Sequence, residues 1–133
     1  MVEFKVEGHP QPEGSHTAHI IGGRAVVHHV RSDRLTAWRE SVADAFRRSG
    51  ANYLHDEPIR ISIEFHLLRP KSVSVRKRPY MTVKPDIDKL CRSTIDGLSM
   101  GTAFDDDSQI VELHASKIYS DWEGAVIDIE RFE

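Results

Sequence analysis

Hydrophobic and polar residues alternate strictly over residues 59–67, where five apolar side chains are separated by single polar ones. This period of two predicts a strand with one packed face and one polar face. Shorter alternation predicts a strand over 2–6, and the stretches 110–119 and 125–132 predict two further strands joined by a turn. Gly22-Gly23, between two apolar segments, predicts a hairpin turn, because both positions tolerate positive φ.

Two segments show the spacing of an amphipathic helix. The first is expected to begin at Ser32 or Asp33 and to end at Gly50, with its apolar side on Leu35, Trp38, Val42, Ala45 and Phe46. The second is expected over Asp86 to Leu98, with Pro85 helping to fix its start and with Gly97 and Gly101 on either side of its end. The order is therefore strand, hairpin, helix, strand, helix, strand, strand. It predicts an α/β fold: a single small domain over residues 1–133, with a mixed sheet and two main helices.

Composition narrows the class of protein. With 39% hydrophobic and 29% charged residues in 133, the chain has the profile of a soluble globular domain and is unlike a coiled coil or a disordered chain. Its one cysteine, Cys91, excludes a disulfide framework and a cysteine-based zinc finger, and fits a reducing compartment. There is no run of 18 apolar residues and the N-terminus is unlike a signal peptide, so we expect a cytoplasmic protein without a membrane span.

The net charge of −3 conceals a strong segregation along the chain. Residues 69–84 contain six basic residues and no acid, whereas residues 85–133 contain four basic residues and twelve acids. Basic side chains bind the phosphates of nucleic acids. The residues predicted to contact DNA are Arg69, Lys71, Arg76, Lys77, Arg78, Lys84 and, just beyond them, Lys89.

Two pairs of acids follow this basic segment: Asp86 with Asp88, and Asp106 with Asp107. Two residues apart on an extended segment before the helix, the first pair would point to one side. Carboxylates from the two pairs would then form an oxygen-only site, which selects Mg²⁺, with Mn²⁺ as a substitute. Metal-binding acids beside phosphate-binding cations are what phosphodiester hydrolysis requires.

Each acid also has a simpler interpretation. Acids near a helix N-terminus are stabilised by capping and by the helix dipole without any metal, and an Asp run in a loop is common in turns. Arg92, one helical turn after Asp88, could orient that carboxylate or contact the transition-state phosphoryl oxygens, or form an ordinary surface ion pair. The residues alone leave these alternatives open.

Three segments carry a resemblance to a known family: KPDIDKL at 84–90, TIDGL at 94–98 and FDDDSQIV at 104–111. Together they closely resemble the signature of the RusA family of Holliday junction resolvases. QPEGS at 11–15 and GRAVV at 23–27 look like the N-terminal loop and hairpin common in its phage members, which suggests a phage or prophage origin in a bacterial cell.

The resemblance implies a homodimeric α/β endonuclease that makes paired nicks in four-way DNA junctions with Mg²⁺. By position, Asp86, Asp88 and Asp107 match the family's metal-binding catalytic aspartates, and Asp106 matches the adjacent acid. Lys89 stands where the family usually has Asn. Arg92 matches its functional Lys, keeping the charge but not the ability to transfer a proton.

Our hypothesis is a RusA-like, Mg²⁺-dependent endonuclease that resolves branched DNA. The alternative is a protein of the same fold that binds branched or single-stranded DNA without turnover, which Lys89 and Arg92 make plausible. A third interpretation is a regulatory or structural α/β protein whose acids only cap a helix. Outside the site, we expect Trp38 and Cys91 to be buried and Trp122 to be exposed in a turn.

Overall fold

The computed structural model describes residues 2–13, 16–21, 24–29 and 32–133. The predicted order of elements is confirmed. The strands and helices are β1 (Val2–Glu7), β2 (His16–Ile21), β3 (Arg24–His29), α1 (Ser32–Ser49), β4 (Ile59–Leu68), α2 (Ile87–Met100), β5 (Ile110–Ser120) and β6 (Gly124–Arg131). A 3₁₀ turn, Asp107–Gln109, leads into β5. The β2 and β3 strands pair antiparallel, with Ile21 opposite Arg24; the Gly22-Gly23 turn predicted between them lies outside the described residues.

The main sheet is mixed and has the strand order β1-β6-β4-β5. The β4 and β5 strands are parallel, and the two other pairings are antiparallel. The predicted turn between the last two strands exists, but β4 lies between them, so residues 121–123 cross over the end of β4 instead of closing a hairpin. In the parallel unit β4-α2-β5, helix α2 runs back between the two strands and lies beside β5, so that the residues just before α2 contact the later part of β5.

Both helices cover one face of this sheet. Alternate residues of β4 from Ile59 to Phe65 are buried against α1 and α2, as their period of two predicts. Trp38 of α1 is 2% exposed, and its indole N–H donates to the Thr94 hydroxyl of α2 at 3.2 Å. Cys91 is also buried, so both residues expected in the core are found there.

The end of α2 falls between Gly97 and Gly101, as predicted, and Gly97 itself lies inside the last turn of the helix. A Cβ on Gly97 would lie 2.7 Å from Val42 Cβ and 2.9 Å from the Arg39 carbonyl oxygen, so glycine lets α1 and α2 approach closely. The helix ends at Gly101, whose N–H donates to the Gly97 carbonyl at 3.0 Å. Gly97 is therefore needed for the close packing of the two helices.

Trp122 is also placed differently from its prediction. Its ring is half-buried and stacks on His66 with 4.2 Å between ring centroids, and Lys5 Nζ lies 4.1 Å from the centroid of the indole. The crossing over β4 places Trp122 against the sheet rather than in solvent. Across the described residues, no helix is long and apolar enough to cross a bilayer.

Candidate functional site

Asp86 and Asp88 stand on either side of the first residue of α2. Asp86 is extended (φ −70°, ψ 137°) and occupies the N-cap position, yet its side chain makes no capping hydrogen bond. Asp88 is already helical, so the expectation that both acids share an extended segment holds for Asp86 alone. Ile87 packs against the core between them. The Asp86 carboxylate therefore does not cap the helix by a hydrogen bond. Lys89 Nζ lies 3.7 Å from Asp86 Oδ2.

The three acids before β5 have different partners. Asp105 Oδ2 accepts the Asp56 N–H at 2.9 Å. Asp106 Oδ2 accepts the Ser108 N–H at 3.0 Å and forms a capping box with Gln109. Hydrogen bonds from Ser108 lower the pKa of Asp106. The carboxylate of Asp107 forms no hydrogen bond or ion pair with any other described residue.

Gln109 explains why the loop holds this shape. Its Oε1 accepts the backbone N–H groups of Asp105 and Asp106 at 2.7 and 2.9 Å. Its Nε2 donates to the carbonyl oxygens of Leu54 and Glu57 at 3.1 and 3.0 Å. The glutamine therefore fixes the acidic loop against the segment before β4, and leaves Asp107 facing α2.

Asp88 and Asp107 line the same cleft, of about 290 Å³. Arg92 and Asp96 of α2 line it as well, together with apolar side chains of α2 and β5. Asp86 instead lines a second cleft of about 710 Å³, which lies on the other side of the first turn of α2 and also includes Lys84 and Lys89. Among the described residues, no three His, Cys, Asp or Glu side chains are close enough together to hold one metal ion.

The donor set of the smaller cleft nevertheless fits Mg²⁺. Mg²⁺ is usually held by one or two carboxylates and keeps several waters, so it does not need three protein ligands. Asp88 and Asp107 supply two carboxylates from facing elements, and neither forms a hydrogen bond or an ion pair with another described residue. Asp106 is engaged in its capping box, so the fourth predicted metal ligand has a structural partner instead.

Arg92 pairs with a residue that the sequence did not single out as a site residue. Its Nε lies 4.0 Å from Glu13 Oε2, in the N-terminal loop, and Arg39 donates to Glu13 Oε1 at 2.9 Å and to Asp96 Oδ2 at 3.2 Å. Burial, and then the nearby charge of Glu13, raise the pKa of Asp96. Glu13 is the third residue of the QPEGS segment, which resembles the family's N-terminal loop, but that resemblance alone did not identify it as a neighbour of the site.

The N-terminal loop is attached directly to α2. The Glu13 N–H donates to the Lys89 carbonyl at 3.0 Å, and Ser93 Oγ donates to the Gln11 carbonyl at 2.5 Å. These two bonds place the loop beside both clefts. The interaction joins residues that are about 80 positions apart in the chain, so no local pattern could predict it.

The basic segment contains two structural arginines. Arg69 donates to the carbonyl oxygens of Ser74, Arg78 and Pro79, and its guanidinium lies 4.2 Å from the centroid of the Tyr119 ring. Arg78 donates to the Tyr119 hydroxyl at 2.9 Å. These two side chains fold the loop onto β5. The exposed basic side chains of the segment are Lys71, Arg76, Lys77 and Lys84.

Cys91 lies beside Asp88 but has the properties of a packing residue. Burial and the Asp88 charge raise the pKa of its thiol to about 11, so the thiolate is scarce at neutral pH. The cysteine therefore packs in the core and supplies no nucleophile.

Comparison with known proteins places this arrangement in a family. Residues 4–130 match the family model described as endodeoxyribonuclease RusA. The chain is also similar to the uncharacterized protein YqaN of Bacillus subtilis (strain 168), with 28% identity over 131 residues, covering 90% of this chain and 89% of YqaN.

Proposed function

Because the chain belongs to the RusA family of endodeoxyribonucleases, we propose that it is a Mg²⁺-dependent enzyme that resolves four-way DNA junctions by paired nicks. Membership of this family supports cleavage within DNA strands. Metal dependence, junction specificity and assembly as a homodimer are our proposal. The observation that carries the proposal is the convergence of Asp88, Asp107 and Arg92 on one cleft.

The four candidate acids fall into two groups, because Asp106 is held in its capping box and the other three carboxylates are not. Asp88 and Asp107 would hold Mg²⁺ in the smaller cleft, and Asp86 would approach it from the larger one. When bound, Mg²⁺ supplies positive charge against the scissile phosphate and activates a water molecule for attack. Asp106, the remaining candidate ligand, positions Asp107 by closing the 3₁₀ turn.

Arg92 contributes charge rather than a proton. Its guanidinium lines the cleft and is 71% exposed, so it is accessible to the oxygens of a bound phosphate. Arginine stays protonated in proteins, so it stabilises negative charge in the transition state without acting as a general acid. Lys71, Arg76, Lys77 and Lys84 would hold the flanking backbone phosphates.

A homodimer suits the substrate, because a four-way junction and a closed dimer are both two-fold symmetric. Two copies would place one cleft at each of two symmetric strands, so that the two nicks are paired. Sedimentation of the free protein and of its junction complex tests this assembly. Monomers in both states would contradict it.

One gel assay tests the activity. A labelled synthetic four-way junction and a linear duplex of the same sequence are incubated with the protein, with and without Mg²⁺. We expect paired nicks in the junction with Mg²⁺, no nicks in Asp88→Asn, and wild-type nicking in the matched control Asp44→Asn, whose carboxylate pairs with Arg47 on the surface of α1. Asp88→Asn should still bind the junction, because it loses negative charge near phosphate.

The remaining outcomes separate the alternatives. Nicking by Asp88→Asn would contradict the site. Salt-dependent junction binding without nicks at any Mg²⁺ or Mn²⁺ concentration would identify a non-catalytic DNA-binding protein, which Lys89 and Arg92 in place of Asn and Lys favour. A protein that binds no DNA would have acids with a purely structural role.

A further inference from the structure

The larger cleft adjoins the proposed catalytic site and is not explained by metal binding. Its volume of about 710 Å³ lies within the range of roughly 300–1,000 Å³ that is typical of ligand-binding clefts. Pro10 and Pro12 of the N-terminal loop line it, as do Met81 and Val83 of the segment before α2 and Tyr119 of β5. Most of the surface that it presents is therefore apolar, unlike a surface that only follows phosphates.

Charged groups are confined to one part of this cleft. Lys84 and Asp86 directly precede α2, and Lys89 is in its first turn, with its ammonium 3.7 Å from Asp86 Oδ2. A phosphate held by Lys84 and Lys89 would lie next to the proposed metal-binding acids. The group attached to that phosphate would then face the apolar part of the cleft.

Hydrogen bonds hold the walls of the cleft in place. Lys117 Nζ donates to the carbonyl oxygens of Val83 and Pro85 at 2.7 and 2.9 Å. Arg69 covers one face of Tyr119 and Arg78 donates to its hydroxyl at 2.9 Å, so that ring is fixed as well. A cleft whose walls are already ordered binds its occupant at a lower entropic cost.

One polar side chain inside the cleft is suited to a hydrogen-bonding ligand. Gln11 lines it and is only 4% exposed, and its side-chain amide forms no hydrogen bond within the described part of the chain. A side-chain amide carries both a hydrogen-bond donor and an acceptor. A ligand edge that offers both an acceptor and a donor would satisfy it.

We propose that this cleft receives an unstacked nucleobase of the junction strand, next to the phosphate that is cut. This inference rests on the proposed function and adds a base-binding subsite to it. An apolar wall with an aromatic ring accepts the face of any base, whereas the Gln11 amide can hydrogen-bond to the edge of a base. A base at a branch point loses less stacking on leaving the helix than one in continuous duplex, so the cleft favours branched DNA.

The test uses junctions that carry 2-aminopurine, whose fluorescence rises when it leaves the base stack, at each position around the scissile phosphate. The fluorescence and anisotropy of these junctions are recorded with the Asp88→Asn chain and Mg²⁺, so that binding is measured without cleavage. We expect a several-fold rise at one position. Val83→Trp, which fills the cleft from a residue that is 39% exposed, should abolish the rise and slow nicking at least ten-fold when Asp88 is intact.

Val111→Trp is the matched control, because Val111 is 59% exposed on β5 and lines neither cleft. It should behave as the wild type in both assays. A junction that is bound and nicked without a fluorescence rise at any position would overturn the base-binding subsite alone, as would nicking by Val83→Trp at the rate of Val111→Trp. A junction that does not bind at all would overturn the proposed function and, with it, the subsite.

Discussion

The ammonium of Lys117, on the edge strand β5, donates to the carbonyl oxygen of Pro85 at 2.9 Å. Pro85 is the residue immediately before Asp86, and the same ammonium also donates to the Val83 carbonyl at 2.7 Å. One side chain of the sheet thereby fixes the segment that connects the basic loop to the acids of α2. The position of Asp86 depends on this contact, since its own carboxylate makes no capping bond.

Lys117→Met should loosen this segment while leaving the sheet paired. Hydrogen bonds to charged groups contribute about 1.5–3 kcal/mol in favourable cases, and we expect a loss of about 2 kcal/mol in the free energy of unfolding. Nicking of the junction should fall by about ten-fold, because Asp86 and the cleft wall lose their support. Urea denaturation and the gel assay measure the two effects. Wild-type nicking by a destabilised Lys117→Met would show that the contact serves stability alone.

Asp106 and Asp107 should separate stability from activity. Asp106→Ala removes the capping acceptor, and we expect a loss of about 1 kcal/mol in unfolding free energy, whereas Asp106→Asn keeps an acceptor and most of the stability. Asp107→Asn should unfold at the same urea concentration as the wild type but should not nick the junction. An Asp107→Asn protein with normal nicking would remove this residue from the proposed metal site.

Gly97→Ala should destabilise the protein despite the better helix propensity of alanine. The gain in propensity is about 1 kcal/mol, but overpacking costs typically 1–3 kcal/mol, and here the added methyl group would meet Val42 and the Arg39 backbone. Ser99→Ala, at an exposed position of the same helix, is the control and should change stability by less than about 0.5 kcal/mol. Equal unfolding midpoints in urea would show that α1 and α2 can move apart without cost.

Asp96 gives a prediction with a definite sign. Burial and Glu13 raise its pKa in the folded protein above the ordinary 3.8, so the folded state binds this proton more tightly than the unfolded state. Stability from this group is therefore lost as the pH rises from 3.8 through the raised pKa. Asp96→Asn removes that loss, so its unfolding free energy relative to the wild type should increase with pH across this window.

The control for this series is Asp44→Asn, whose carboxylate is exposed. Denaturant unfolding at a series of pH values measures both variants against the wild type. A relative stability of Asp96→Asn that falls as the pH rises would contradict the assigned direction of the pKa shift.

Periodicity predicted the elements because each of them depends on burying one side. The residues of β4 from Ile59 to Phe65 and the apolar side of α1 behave as their spacing requires. The same reasoning failed at Trp122 and did not predict the packing role of Gly97, because in both cases the deciding contact comes from a different element. The residues next to Gly97 and Trp122 in the sequence give no information about their contacts with Val42 and His66.

The candidate site was predictable to a similar extent. The acids were found because they are close together in the sequence, but their division between two clefts follows from the first turn of α2, which turns Asp88 away from Asp86. Glu13 and Lys117 were missed because they reach the site from distant parts of the chain. Local spacing identifies which residues carry the chemistry, whereas their supports come from tertiary contacts.

The position of β6 has a consequence for synthesis on the ribosome. This strand, the last of the sheet in chain order, lies between β1 and β4, and its partners start more than 60 residues earlier. Until residues 124–131 have emerged, β1 has no neighbour in the sheet and one edge of β4 stays unpaired. An unpaired strand edge favours association between chains. The nascent protein is therefore most prone to aggregate just before its last strand is released, and a chaperone would protect it best at that stage.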